Sequence, residues 1–123
     1  MKYFKDTEFI RFDLLRPEMK EMLDDLREQL GSPLIITSSY RDPVHNMTVG
    51  GASNSSHIPS DADGFYSGID FTIPGGLITS RALFDIVESA YAVGFRRIGL
   101  YKDMAHVHLD VESRLDQDVI LIA

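Results

Sequence analysis

Ala105-His106-Val107-His108-Leu109-Asp110-Val111 is the stretch on which the reading of this chain turns. Successive side chains of a strand point to opposite faces. A strand here gives Val107, Leu109 and Val111 an apolar face and sets His106, His108 and Asp110 together on the other. The apolar face needs a core to cover. The polar face fits either of two readings: a half-buried strand whose wet side happens to hold two histidines, or part of a metal site that still needs a third ligand.

The segments around it supply a sheet. Arg97 to Tyr101 and Val119 to Ile122 read as short strands, as do Leu34-Ile35-Ile36-Thr37 and Ile69-Asp70-Phe71-Thr72-Ile73. Pro17 to Leu30 reads as a helix, with Pro17 suited to its first turn and Met19, Met22, Leu23, Leu26 and Leu30 at helical spacing. Gly31-Ser32-Pro33 ends it. A second helix starts at a Thr79 or Ser80 cap, carries Leu83, Ile86, Val87, Ala90 and Tyr91, and stops at Gly94. The order of elements predicts an α+β fold, a mostly antiparallel sheet with helices packed on one side. Between Ser38 and Gly68 the chain is rich in Ser, Gly, Asn, Asp and Pro and lacks periodicity. An irregular stretch of that length points to function.

The chain has 123 residues, the size of one domain spanning 1–123. It has no cysteine, which excludes disulfides, thiolate metal sites and Cys nucleophiles, so any metal is held by His, Asp or Glu. The formal net charge of −7 argues against nucleic acid and against anionic lipid as partners. Met1 to Asp6 has no apolar signal core, and no segment is long enough to span a bilayer. The expectation is a monomer made in the cytoplasm without membrane insertion, which reaches a cell wall only if released.

Two further segments carry candidate chemistry. Ser55-Ser56-His57 places a histidine among small residues in the irregular stretch. Gly68-Ile69-Asp70-Phe71 places an acid between large apolar neighbours, where an unpaired charge is costly to bury. A cation, a backbone cap or a metal would each partner Asp70. Together His57, Asp70 and His108 make a two-His, one-Asp set, which leaves tetrahedral zinc one open position for water.

These residues, taken in order, resemble the D-alanyl-D-alanine carboxypeptidase-like zinc peptidases, the fold group shared with lysostaphin-type enzymes and the hedgehog signalling domain. The likeness is to short phage-type members that act on the cell wall as endopeptidases (endolysins) or carboxypeptidases. It runs from about Phe9 to Val119. Its landmarks are Thr37 to Arg41, Asn46, Val49 to Ala52, Ser53 to His57, Gly68 to Phe71, Gly94 to Gly99 and His106 to Asp110. The resemblance implies zinc held by His57, Asp70 and His108. It implies a catalytic or transition-state role for His106, and an Arg41 that faces the site to hold a carboxylate or an oxyanion. His45 also matches, with an implied structural role in its loop. The implied substrate is a peptidoglycan peptide containing D-amino acids.

The sequence departs from the family pattern twice. Ile58 to Ser67 lengthens the gap between His57 and the aligned acid, which makes Asp63 a rival to Asp70. The strand position favours Asp70, because a strand is rigid and Asp63 precedes a glycine. Many relatives carry an acid three residues before the last ligand, where this chain has Ala105. Proton handling then falls to His106, or to Asp103 or another acid that reaches in. Asp110 is expected to orient an imidazole, and Tyr66, Tyr101 and Met104 to line the cleft, with Tyr66 contacting substrate. Two other classes remain open at this point: a zinc- or peptide-binding module without turnover, and a cytoplasmic dipeptidase acting on free D-alanyl-D-alanine.

Overall fold

The structure is a computed structural model that describes residues 1–48 and 55–123, with His45 described by its backbone alone. The expected structural role of His45 and the landmarks Val49 to Ala52 and Ser53 lie outside what is described.

Helix α1, Pro17–Leu30, starts on a proline whose missing N–H costs nothing there. Met19, Leu23 and Leu26 recur on one face and are fully buried. Gly31 ends the helix at φ 73°, donating its N–H to the Arg27 carbonyl. Helix α3, Ser80–Val93, is capped by Thr79, whose hydroxyl accepts the Ala82 N–H at 3.2 Å. It buries Ile86 and Ala90 and packs against α1.

The strands are β1 (Ile35–Ser38), β2 (Gly68–Thr72), β3 (Arg97–Leu100), β4 (Val107–Asp110) and β5 (Val119–Ile122), in the spatial order β1-β2-β4-β3-β5. Ile69, Phe71, Val107, Leu109 and Ile98 join the buried side chains of α1 and α3 in one apolar core. Asp70 stands directly opposite His108, which in turn stands opposite Gly99. Directly opposed residues share a face, so this row crosses three strands on the side away from the core.

The sheet is mostly antiparallel, as expected, but mixed: three of its pairings are antiparallel, and β5 runs parallel to β3. The cause lies in where β4 ends. Asp110 pairs with Arg97, so the chain leaves β4 beside the start of β3. It then crosses to the free edge of β3 and begins β5 with Val119 opposite Arg97. A short helix, α2 (Pro43–Thr48), also sits inside the stretch read as irregular. Asp42 starts it by accepting the Val44 N–H at 2.8 Å, with Pro43 in the first turn. Among the described residues no helix is long and apolar enough to cross a membrane.

Candidate metal centre

His57 belongs to the turn Ser55-Ser56-His57-Ile58, which the Ile58 N–H closes by donating to the Ser55 carbonyl at 3.1 Å. Its Nδ1–H donates to the Ser39 carbonyl at 2.7 Å, which leaves Nε2 as the nitrogen with a lone pair. That Nε2 lies 3.6 Å from Asp70 Oδ2. On the other side of Asp70, His108 Nδ1 lies 2.8 Å from Oδ1. One ligand atom from each of His57, Asp70 and His108 falls within 4.8 Å of the other two. All three side chains are nearly withdrawn from water.

His108 is held from behind as well. Its Nε2 lies 2.6 Å from Oδ2 of Asp110, a fully buried carboxylate. Such a bond fixes ring orientation and makes the opposite nitrogen a better ligand. Burial alone would lower the His108 pKa, but hydrogen bonds to Asp110 and Asp70 push it up to about 9. Burial likewise works to raise the Asp70 carboxyl, yet the hydrogen bond from His108 holds it well below the usual carboxylate range. At neutral pH the metal-free site is therefore an imidazolium between two carboxylates, with one proton sitting between two prospective metal ligands.

Two glycines make room for this arrangement. A Cβ on Gly99 would stand 2.9 Å from the His108 Cβ, and one on Gly68 would stand 2.2 Å from the Ser56 Oγ. Glycine inside a strand often marks such a close approach.

His57, His108 and Asp110 border a cleft of about 340 Å³ together with Arg41, Ser55, Ser56, Arg97 and Tyr101. Arg41 donates its backbone N–H to the His57 carbonyl at 2.8 Å and its Nη1 to Asn46 Oδ1 at 3.0 Å. The Tyr101 hydroxyl donates to Asp70 Oδ1 at 3.3 Å, and burial with the nearby Asp70 charge pushes its pKa up to about 12. A larger hollow of about 610 Å³ lies between α3 and β5, lined mainly by apolar side chains such as Phe84, Val87 and Ile120. It holds none of the cluster residues, so the smaller cleft is the one with chemistry.

Residues 5–110 match the family description Peptidase M15. The chain belongs to this family of zinc peptidases. No curated protein and no solved structure matches it. Membership makes the chain a metallopeptidase with a peptide substrate. The donor set agrees on independent grounds: two imidazoles and a carboxylate, with no thiolate available, suit a catalytic zinc.

The other expected site residues fall in different places. His106 precedes β4 and its ring stacks on Tyr101 with centroids 4.0 Å apart. Its Nδ1 lies 3.6 Å from Asp103 Oδ2, so Asp103 reaches His106 and not the three-residue cluster. Asp63 pairs with Arg16 at 2.7 Å, on an exposed loop, and is not part of the three-residue cluster. Tyr66 corrects the expectation of substrate contact. It is fully buried, its ring meets Tyr40, and its hydroxyl donates to the Ile10 carbonyl at 3.0 Å. Met104 does not border the cleft either. The sequence reading missed the Ser39 carbonyl, and it named Gly68 and Gly99 as landmarks without the close approach they allow. Only the strand glycines left a signal, as residues without a side chain in otherwise apolar runs.

Proposed function

We propose that this zinc peptidase hydrolyses a peptide bond next to a D-amino acid in the stem peptide of bacterial peptidoglycan. The observation that carries the reading is the convergence of His57, Asp70 and His108 beside a cleft that Arg41 also borders. The D-amino-acid substrate rests on the ordered motif resemblance from Thr37 to Asp110.

A zinc ion held by His57, Asp70 and His108 supplies a Lewis acid that lowers the pKa of water and polarises a carbonyl. The remaining work belongs to the chain itself. Asp110 keeps His108 in one ring orientation through the 2.6 Å contact at Nε2. Ser39 does the same for His57 through its carbonyl. Arg41, with Nη1 already fixed on Asn46, offers its guanidinium to a substrate carboxylate or to developing oxyanion charge. His106 handles protons in place of the acid that Ala105 replaces, with Asp103 Oδ2 3.6 Å from its Nδ1. The protein acts as a monomer, is made in the cytoplasm, and meets its substrate at the wall on release, as a phage-encoded enzyme would.

The test is incubation of the purified protein with defined stem peptides, with all-L analogues and with free D-alanyl-D-alanine, followed by mass spectrometry. Cleavage confined to D-containing stem peptides, abolished by a chelator and restored by zinc, is expected. Turnover of the free dipeptide alone would replace this reading with the dipeptidase one. Zinc binding without any turnover would leave a binding module.

A further inference from the structure

Arg114 reaches back from the segment after β4 to the turn that carries His57. Its Nη2 donates to the Ser55 carbonyl at 3.1 Å and to the Ile58 carbonyl at 3.1 Å, the two ends of that turn. The guanidinium is itself gripped by Glu112, Nε to Oε1 at 2.9 Å and Nη2 to Oε2 at 2.9 Å. Glu112 is only 1% exposed. A carboxylate buried that far is costly unless paired, and Arg114 is its partner. At the other end, the Glu112 N–H donates to Asp110 Oδ1 at 2.9 Å, while Asp110 Oδ2 meets His108. A continuous line of hydrogen bonds therefore runs from the ring of His108 through Asp110, Glu112 and Arg114 to the backbone on either side of His57. Gln117 stiffens the segment by donating to the Glu112 carbonyl at 3.0 Å.

The family match ends at residue 110, so membership does not account for this pair. A group that binds both ends of a turn places the turn as a unit. Holding ligands in place before the metal arrives removes an ordering cost from binding. We propose that Glu112 and Arg114 are positioning residues for the metal centre, which fix the His57 turn against the His108–Asp110 pair and so set the separation of the two imidazoles. The proposal rests on the assignment of His57, Asp70 and His108 as ligands.

The experiment measures zinc affinity by competition with a chromophoric chelator for wild type, Arg114→Lys, Arg114→Gln and Glu112→Gln. Each protein is also melted metal-free and zinc-loaded, and its cobalt-substituted form is followed by visible absorption. Arg114→Gln and Glu112→Gln are expected to weaken zinc by about 10- to 100-fold, the usual effect of losing a group that orients a ligand. The zinc-induced rise in Tm shrinks accordingly, and the cobalt bands change. Arg114→Lys keeps a charge opposite Glu112 but has one nitrogen where Arg114 uses two, Nε and Nη2, to grip Glu112 and reach the turn, so it loses affinity while keeping the fold. A merely structural brace would lower the metal-free and zinc-loaded melts equally, with affinity and cobalt spectrum unchanged. That result overturns the proposal. Failure of the wild type to bind zinc would overturn the ligand assignment and the proposal with it, and so differs from wild-type binding that the variants share.

Discussion

His108 Nδ1 and Asp70 Oδ1 lie 2.8 Å apart because β2 and β4 pair in the register that sets these residues directly opposite each other. In the metal-free protein a proton occupies this contact, and it must leave when a metal binds. Metal affinity is then coupled to pH. Zinc binding is expected to strengthen as pH rises from about 6.5 toward 9, with proton release visible by calorimetry in buffers of different ionisation enthalpy. Affinity that does not change over that range would contradict the protonated pair.

The same pair sets a stability trend. The folded His108 pKa, about 9, is raised above the ordinary histidine value. Its contribution is fully present below the unfolded pKa, about 6.5, and is lost as pH rises through about 9. The loss is about 3 kcal/mol. The metal-free protein should therefore lose Tm between pH 7 and pH 9.5, and the zinc-loaded protein should not show this loss. Parallel melting curves for the two forms would argue against it.

Gly99→Ala places a methyl 2.9 Å from the His108 Cβ, on the sheet face that carries the ligands. Apolar packing on the opposite face is untouched. The expected result is zinc affinity reduced about tenfold or more, as when ligand orientation is lost, with far-UV circular dichroism unchanged. Normal zinc affinity would show that His108 does not depend on this close approach.

His106→Gln removes the proton-handling group while leaving the three ligand atoms of His57, Asp70 and His108 in place. It should lower kcat by about 100-fold or more and leave zinc content unchanged. Retained turnover would move the proton-handling role to another group.

Tyr66→Phe removes a hydroxyl bonded to the Ile10 carbonyl at the edge of the core. The expected cost is about 1 kcal/mol of stability, more if the carbonyl stays unsatisfied. KM should be unaffected. A raised KM with normal stability would restore Tyr66 to the substrate site.

The alternation in His106 to Asp110 was enough to place His108 and Asp110 on one face, and the apolar neighbours of Asp70 were enough to demand a partner for it. Both follow from strand periodicity, which is local. The direction of β5 was not legible, because it depends on where β4 ends relative to β3, a relation between separate segments. Helix α2 escaped because six residues are too few to show a period, although Asp42-Pro43 carried a start signal. Tyr66 sits among Gly, Ser and Asp residues that suggest a surface loop, yet its backbone pairs with Leu14 and Arg16 and draws the ring inside. The Ser39 carbonyl that fixes His57 is backbone and has no residue-type signature. Glu112 and Arg114 are ordinary charged residues until folding brings them to the Ser55–Ile58 turn.

Zinc content per chain, measured by elemental analysis for wild type, His57→Ala and His108→Ala, tests the central claim most directly. The account predicts close to one zinc in the wild type and loss of that zinc in both variants. A wild type that stays metal-free after zinc is offered, or variants that keep a full complement, would contradict it.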